Sequence, residues 1–275
     1  MIIVGEKLNS SIKRVAEAIE KRDAATIQDL AKRQADAGAD FLDVNAAIRV
    51  SQELDDLTWM VEAVLAVTDK PLCIDSPNPK AIAKGLALYK AAGRSERPLV
   101  NSITGEPDRI QGILPLVAEY KCPVVALTSD ETGIPSTVED RVRIAGKIVV
   151  EAEKYGVPRE DIYFDPLVLP VSTDVRNGAI FMDSLRTIKA EYPGVKTISG
   201  LSNISYGLPK RKIVNRAFLI TALAAGMDAA IMDPLDMDIM ALLKATELVL
   251  GQDDFCMNYL TAYRAGLLGE VQSKA

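Results

Sequence analysis

Five stretches of this chain end in the same way. Pro71-Leu72-Cys73-Ile74 runs into the carboxylate of Asp75, and Ser76-Pro77 then stops the run. Phe41-Leu42-Asp43-Val44-Asn45, Leu99-Val100-Asn101, Ile162-Tyr163-Phe164-Asp165 and Thr197 through Ser202-Asn203 repeat the pattern. An apolar run without polar alternation is what a strand covered on both faces requires. Each Asp or Asn is therefore carried on a stiff element to the point where strand becomes loop. Any one of them could be a helix N-cap, a favoured position for Asp and Asn. Five at the same end of five strands read instead as one converging site. The candidate ring is Asp43, Asn45, Asp75, Asn101, Asp165, Ser202 and Asn203.

Such a ring is rich in acceptors and amides and has no phosphate cradle. Three carboxylates suit a hard divalent cation. They suit equally a neutral heterocycle that presents several N–H donors along one edge. The amides favour the heterocycle, because they bring little charge to a cation site, and a 2-amino-4-oxo pterin has the required edge. Histidine is absent, which excludes a Ser-His-Asp triad, an imidazole base and a His-ligated metal; no metal site is expected. Cys73, Cys122 and Cys256 are odd in number and far apart, against a disulfide framework or a standard zinc site. All three read as structural. Lys196 could suggest a Schiff-base aldolase, but it begins a strand at the end away from the ring and reads as a solvated charge.

The elements that must position the ring follow from periodicity. Ile2-Ile3-Val4 is a first strand ending at Gly5-Glu6-Lys7-Leu8-Asn9. Ile27, Leu30, Ala31 and Ala35 share one face of a helix over 25–37 that Gly38 stops. A strand to Asn45 precedes a helix with Leu54, Leu57, Val61, Val64 and Leu65 facing inwards. The stretch at 71–75 is followed by a helix over 79–92, a strand over 98–102, a helix over 108–120 and a strand over 123–128. Ser136 with Glu139 forms a capping box that opens a helix to about 155, with Val138, Val142, Ala145, Val149 and Ala152 inwards. A strand to Asp165, a helix over 177–191, a strand over 196–203 and a helix to about 225 come next. A strand over 229–233, a helix over 236–250 and a short terminal helix complete the order. Ala37-Gly38-Ala39-Asp40 and Ala225-Gly226-Met227-Asp228 echo one another ahead of two of the strands. Eight strand–helix alternations predict a single-domain (β/α)8 TIM barrel over 1–275, with the site at the strands' C-terminal ends. An open doubly wound sheet is the alternative, but no Gly-x-Gly-x-x-Gly follows a strand.

The bulk numbers agree. The 275 residues are 48% hydrophobic and 25% charged, ordinary for a globular domain, and the formal charge of −6 argues against a nucleic-acid partner. Met1-Ile2-Ile3-Val4 reaches Gly5-Glu6 too soon to form the apolar core of a signal peptide. No apolar run approaches the roughly 20 residues that cross a bilayer, so no membrane partner and a cytoplasmic location are expected.

Taken together, Gly5-Glu6-Lys7-Leu8-Asn9, Asp75 after its apolar strand, Leu99-Val100-Asn101-Ser102, Phe164-Asp165-Pro166, Gly200-Leu201-Ser202-Asn203-Ile204-Ser205 and Ile231-Met232-Asp233 resemble the pterin-binding corrinoid methyltransferases. These are barrel relatives of dihydropteroate synthase. The resemblance implies that Asp75, Asn101 and Asp165 hold a pterin ring, with Glu6, Asn9, Asp43, Asn45 and Gly200 in the same binding set. It implies that Ser202 and Asn203 lie near the methyl-bearing nitrogen, with Asn203 catalytic and Arg211 in the loop beyond. The implied substrates are tetrahydrofolate or 5-methyltetrahydrofolate and a cobalamin. With no histidine to coordinate cobalt, that cobalamin would be carried by a separate corrinoid protein docking transiently over the barrel mouth. The expected reaction moves methyl from methylcorrinoid to tetrahydrofolate; transfer from methyltetrahydrofolate to a corrinoid iron–sulfur protein is the alternative. Tyr206 stands where acetogenic members are expected to have Gln. Dihydropteroate synthase fits less well, since Asp43-Val44-Asn45-Ala46-Ala47 lacks its Gly, Ser and Arg and no Arg-x-His can exist here. A folate-binding barrel without activity is the remaining reading. A homodimer is expected from the resemblance and from the apolar excess of Phe218, Leu219, Ile220, Leu223, Met240, Leu242, Leu243, Leu248 and Leu250.

Overall fold

The structure is a computed structural model and describes residues 1–269. The chain runs β1 (Ile2–Asn9), α1 (Lys13–Lys21), α2 (Ala24–Asp36), β2 (Phe41–Asn45), α3 (Glu53–Leu65), β3 (Leu72–Asp75), α4 (Pro79–Ala91), β4 (Leu99–Ile103) and α5 (Pro107–Tyr120). It continues through β5 (Val124–Leu127), α6 (Val138–Lys154), β6 (Ile162–Asp165), α7 (Asn177–Glu191), β7 (Lys196–Thr197), α8 (Arg211–Ala224), β8 (Ala229–Met232), α9 (Met237–Val249) and α10 (Met257–Arg264). All strand pairs are parallel, in the order β7-β6-β5-β4-β3-β2-β1-β8. The ends meet through backbone bonds from Asp228 N–H to the Thr197 carbonyl (3.2 Å) and from Ile231 N–H to the Ser199 carbonyl (2.9 Å). The sheet is thereby a (β/α)8 barrel, as the alternation predicts.

Side chains on a strand alternate between faces, and that parity decides everything above it. Leu42, Val44, Leu72, Ile74, Val100, Val124, Ala126, Ile162 and Phe164 are buried under the helix ring. The other parity fills the barrel interior with Val4, Cys73, Leu99, Val125, Tyr163, Ile198 and Ala229. Asp43, Asp75, Asn101 and Asp165 share the interior parity. They are the polar top of an apolar plug.

The echo ahead of β2 and β8 has a physical role. Gly38 and Gly226 take φ of +95° and +98°, where L side chains are strained. Asp40 then accepts the Ile3 N–H at 2.7 Å, and Asp228 accepts the Thr197 N–H at 2.8 Å. Each acid caps the start of a neighbouring strand. Asp228 also takes Lys189 Nζ at 2.8 Å, so that one carboxylate ties both α7 and the short β7 to the start of β8.

Several expected boundaries move. Strand seven is two residues, and Leu201–Ser205 is a 3-10 turn. Helix α6 is capped by Thr137, whose hydroxyl accepts the Asp140 N–H at 3.2 Å, rather than by Ser136 with Glu139. Leu54 points outward, helix α1 has no counterpart in the periodicity reading, and strand one extends through Asn9. Lys196 is half-buried rather than a free solvated charge: its Nζ donates to Tyr163 Oη at 3.1 Å and lies over that ring. Phe218, Leu219, Leu223 and Leu243 belong to the core, whereas Ile220 and Leu250 remain exposed.

Candidate active site

A row of polar side chains crosses four strands at one level. Asn9, Asn45, Asp75 and Asn101 are successive partners in the registers of β1 with β2, β2 with β3 and β3 with β4. Asn45 Nδ2 donates to Asp75 Oδ2 at 2.9 Å, and Ser10 Oγ donates to Asn45 Oδ1 at 3.1 Å. One step below, Asp43 is 2% exposed, and among the described residues its Oδ1 has no hydrogen-bond partner. A buried, unpaired acceptor is costly unless the group is protonated or a ligand meets it.

The N-cap explanation fails for these residues. Asn78, not Asp75, caps α4, accepting the Lys80 N–H at 3.0 Å. Asn45 and Asp165 bond the N–H groups of Ala47 (3.1 Å) and Leu167 (2.8 Å) two residues on. They shape their own loops rather than ending a helix.

The electrostatics are those of a desolvated acid cluster. Burial pushes the Asp43 carboxyl well above its ordinary value, and the charge of Asp75 raises it further. Burial raises Asp75 to about 6, while hydrogen bonds from Asn45 and Asp43 hold it down. Asp43 is thus the protonated member and Asp75 the acceptor. Asp165 is raised to about 6, again by burial, with Leu167, Ser199, Gly200 and Arg141 opposing. Ser199 Oγ donates to its Oδ1 at 2.9 Å.

Above and to one side of this floor opens a cavity of about 550 Å³. Asp43, Asp75, Glu6, Asn9, Ser202 and Arg211 line it, whereas Asn45, Asn101, Asp165, Gly200 and Asn203 do not. The β1–β2 register slips between Gly5 and Leu8, and this bulge sends both Glu6 and Lys7 to the cavity. The freed Lys7 N–H is taken by Gln34 Oε1 at 2.9 Å. A Cβ on Gly5 would lie 2.6 Å from that same oxygen. Lys7 Nζ pairs with Asp233 Oδ2 at 2.6 Å across β1 and β8. Burial pushes Glu6 up to about 7; Lys7 and Arg211 oppose the shift and Asp233 adds to it.

The stretch after β7 differs from its expected role. Ser202 and Asn203 sit on the 3-10 turn rather than on a strand end. Asn203 is exposed, and its Nδ2 donates to the Val168 carbonyl. Arg211 Nε donates to Ser205 Oγ at 3.0 Å and Nη2 to the Ser202 carbonyl at 2.6 Å. Its guanidinium lies 5.9 Å from the exposed Tyr206 ring. Sequence reading missed Lys7, Asp233 and Ser199; the neighbouring Glu6 and the repeated strand-end acid at Ile231-Met232-Asp233 were the available signals. Among the described residues no cluster of three His, Cys, Asp or Glu could hold a metal ion, and no helix is long and apolar enough to cross a membrane.

The sequence pattern described as "Pterin binding enzyme" matches residues 5–233. The methylcorrinoid:tetrahydrofolate methyltransferase of Eubacterium limosum is 42% identical over 276 aligned residues, covering 100% of both chains. The methionine synthase of Mycobacterium leprae is 31% identical over 244 residues, which is 84% of this chain but 20% of that protein. A dihydropteroate synthase of Xanthomonas albilineans, solved with 7,8-dihydropteroate, superposes with a TM-score of 0.66 over 92% of this chain and 94% of that one. At 20% identity that likeness concerns the fold alone.

Proposed function

This chain belongs to the family of pterin binding enzymes, and from that premise we propose that it is a methyltransferase acting between tetrahydrofolate and a cobalt corrinoid. The observation that carries the reading is the end-to-end 42% identity with a methylcorrinoid:tetrahydrofolate methyltransferase. That relative's name also supports the direction we propose, from methylcorrinoid to N5 of tetrahydrofolate. The whole of 1–275 acts as one pterin-binding domain in this reading.

The chemistry of the floor supports it. Ionised Asp75, steadied by Asn45, accepts from the amino and ring N–H edge of the pterin. Asn101 both donates and accepts, and Asp165 is a second acceptor. Holding the ring in one place is the positioning part of catalysis. Tetrahydrofolate N5 then attacks the methyl carbon, the carbon–cobalt bond breaks with its electron pair left on cobalt, and the N5 proton is lost. Glu6, at about 7, is a cavity-wall group able to take that proton near neutral pH. In our reading Asn203 acts by rotating away from Val168 so that its amide orients N5. A hydrogen bond that strengthens as charge changes at N5 lowers the barrier more than it tightens binding.

Two finer points belong to the same proposal. The corrinoid is carried by a separate protein that docks over the mouth, because this chain has no histidine to ligate cobalt. The enzyme is a cytoplasmic homodimer in which exposed Ile220, Val249, Leu250 and Phe255 supply apolar contact; light scattering giving a monomer mass would remove that point. The reaction itself is tested by incubating the chain anaerobically with methylcobalamin and tetrahydrofolate. Cob(I)alamin and 5-methyltetrahydrofolate should form in equal amounts at a rate proportional to enzyme. No transfer above the uncatalysed rate contradicts the assignment.

A further inference from the structure

Behind Asp165 lies a cation that this mechanism does not use. Arg141, in the first turns of α6, is fully buried. Its Nε donates to the Pro135 carbonyl and its Nη1 to the Leu167 carbonyl, both at 3.2 Å. Among the described residues its Nη2 has no partner. A guanidinium taken out of water without a close carboxylate is strongly unfavourable, so its burial calls for a reason.

Leu167 joins this cation to the floor. Its N–H donates to Asp165 Oδ1 at 2.8 Å while its carbonyl accepts from Arg141. Its φ is +68°, a left-handed conformation that strains a non-glycine residue. The groups facing Asp165 from packed elements are Thr128 at the end of β5, Ser199 and Gly200 after β7, and Arg141 of α6. Arg141 is the charged one, and Asp165 is in turn the acid whose charge acts on Arg141.

We infer that Arg141 is a positioning residue: it fixes Asp165 through the Leu167 peptide and supplies the buried positive charge that keeps this carboxylate an acceptor when water is excluded. The inference rests on the reading that Asp165 meets the pterin. Burial alone drives Asp165 towards its neutral form, and a neutral carboxyl would meet a donor edge with a donor of its own. The Leu167 N–H, Ser199 and the Gly200 N–H oppose that outcome, and Arg141 adds its charge to theirs while holding the Leu167 peptide in place.

The test is a carbon-13 titration of the Asp165 carboxyl, assigned by its loss in Asp165→Asn, in the native chain and in Arg141→Met and Arg141→Lys. Tetrahydrofolate affinity is followed by calorimetry over the same pH range. In Arg141→Met the carboxyl should titrate clearly above the native value of about 6. The acid limb of tetrahydrofolate binding should move up with it, and affinity at pH 7 should fall about tenfold. Arg141→Lys should restore part of both. Adding Leu167→Gly, which accepts the left-handed turn without strain, should restore neither. An unchanged carboxyl titration, or full recovery by Leu167→Gly, would mean that Arg141 only shapes the turn. Should Arg141→Met not fold, Arg141→Lys carries the same titration, with an intermediate upward shift expected and no shift overturning the inference. A native chain that fails to bind tetrahydrofolate would defeat the functional reading, while the carboxyl titration would still judge Arg141.

Discussion

The floor and the wall of this site are built on opposite principles. The floor, Asp43, Asn45, Asp75 and Asn101 with Asp165 beyond, stands on paired strands and is held by register. Its acids are desolvated and raised. The wall, from the 3-10 turn through Arg211 to Lys7–Asp233 and Lys212–Asp236 (3.0 Å), is built on ion pairs. It straddles the weakest seam of the barrel, where β7 is two residues long. A ring-holding surface gains from rigidity, because misplacement by about 1 Å is costly in rate. Groups that must follow charge as it moves can sit on an adjustable turn. On this contrast we propose that recognition belongs to the floor and reaction to the wall.

The largest effect should come from the wall. Asn203→Ala is expected to slow single-turnover transfer from methylcobalamin about 100- to 1000-fold, the usual cost of losing one preorganised hydrogen-bonding group, with tetrahydrofolate affinity changed far less. Affinity and rate falling together would move Asn203 to the floor. The floor should answer in the opposite sense. Asp75→Ala or Asp165→Ala should weaken tetrahydrofolate binding by about 2 kcal/mol or more by calorimetry, and unchanged affinity in both would dissolve the distinction.

The third prediction concerns stability. A carboxyl whose pKa is higher folded than unfolded binds more protons in the native state, so stability falls as pH rises from the ordinary value to the folded one. For Asp75 that interval runs from 3.8 to about 6, and Asp43 extends it upwards. Asp43→Asn should therefore stabilise the fold above the interval and much less below it, while binding suffers. Thermal unfolding at acid and neutral pH measures this; equal gains at both would mean that folding does not raise the Asp43 carboxyl. Affinity should also fall as pH drops through about 6, where Asp75 and Asp165 lose their acceptor form. The smallest effect should be on the wall's outer pairs. Lys212, largely exposed beside Asp236, should cost less than about 1 kcal/mol of stability as Lys212→Ala, and a larger loss by denaturant titration would make the wall as rigid as the floor.

What could be read from the sequence divides along the same line. Strand-end acids and amides were legible because an apolar run fixes a buried strand, and the sheet's common direction then brings the ends together. The wall was not. Gly200-Leu201-Ser202-Asn203 continues an apolar strand pattern, and its turn into a 3-10 coil depends on packing against the following helix. The Lys7–Asp233 pair depends on closing β1 against β8, a contact between the two ends of the chain. Thr137 rather than Ser136 caps α6 because neighbouring hydroxyls offer the same chemistry and only the phase of the entering loop separates them. Arg141 looks like any helix arginine until α6 is laid against the loop that follows β6.

The division of labour is tested most directly by a crystal structure of the chain with tetrahydrofolate bound. The account predicts the amino and ring N–H edge of the pterin on Asp75 and Asn101, with Asp165 beside it and N5 turned towards the 3-10 turn. A pterin seated instead between Asp233 and Arg211, with Asp75 and Asp165 untouched, would contradict it.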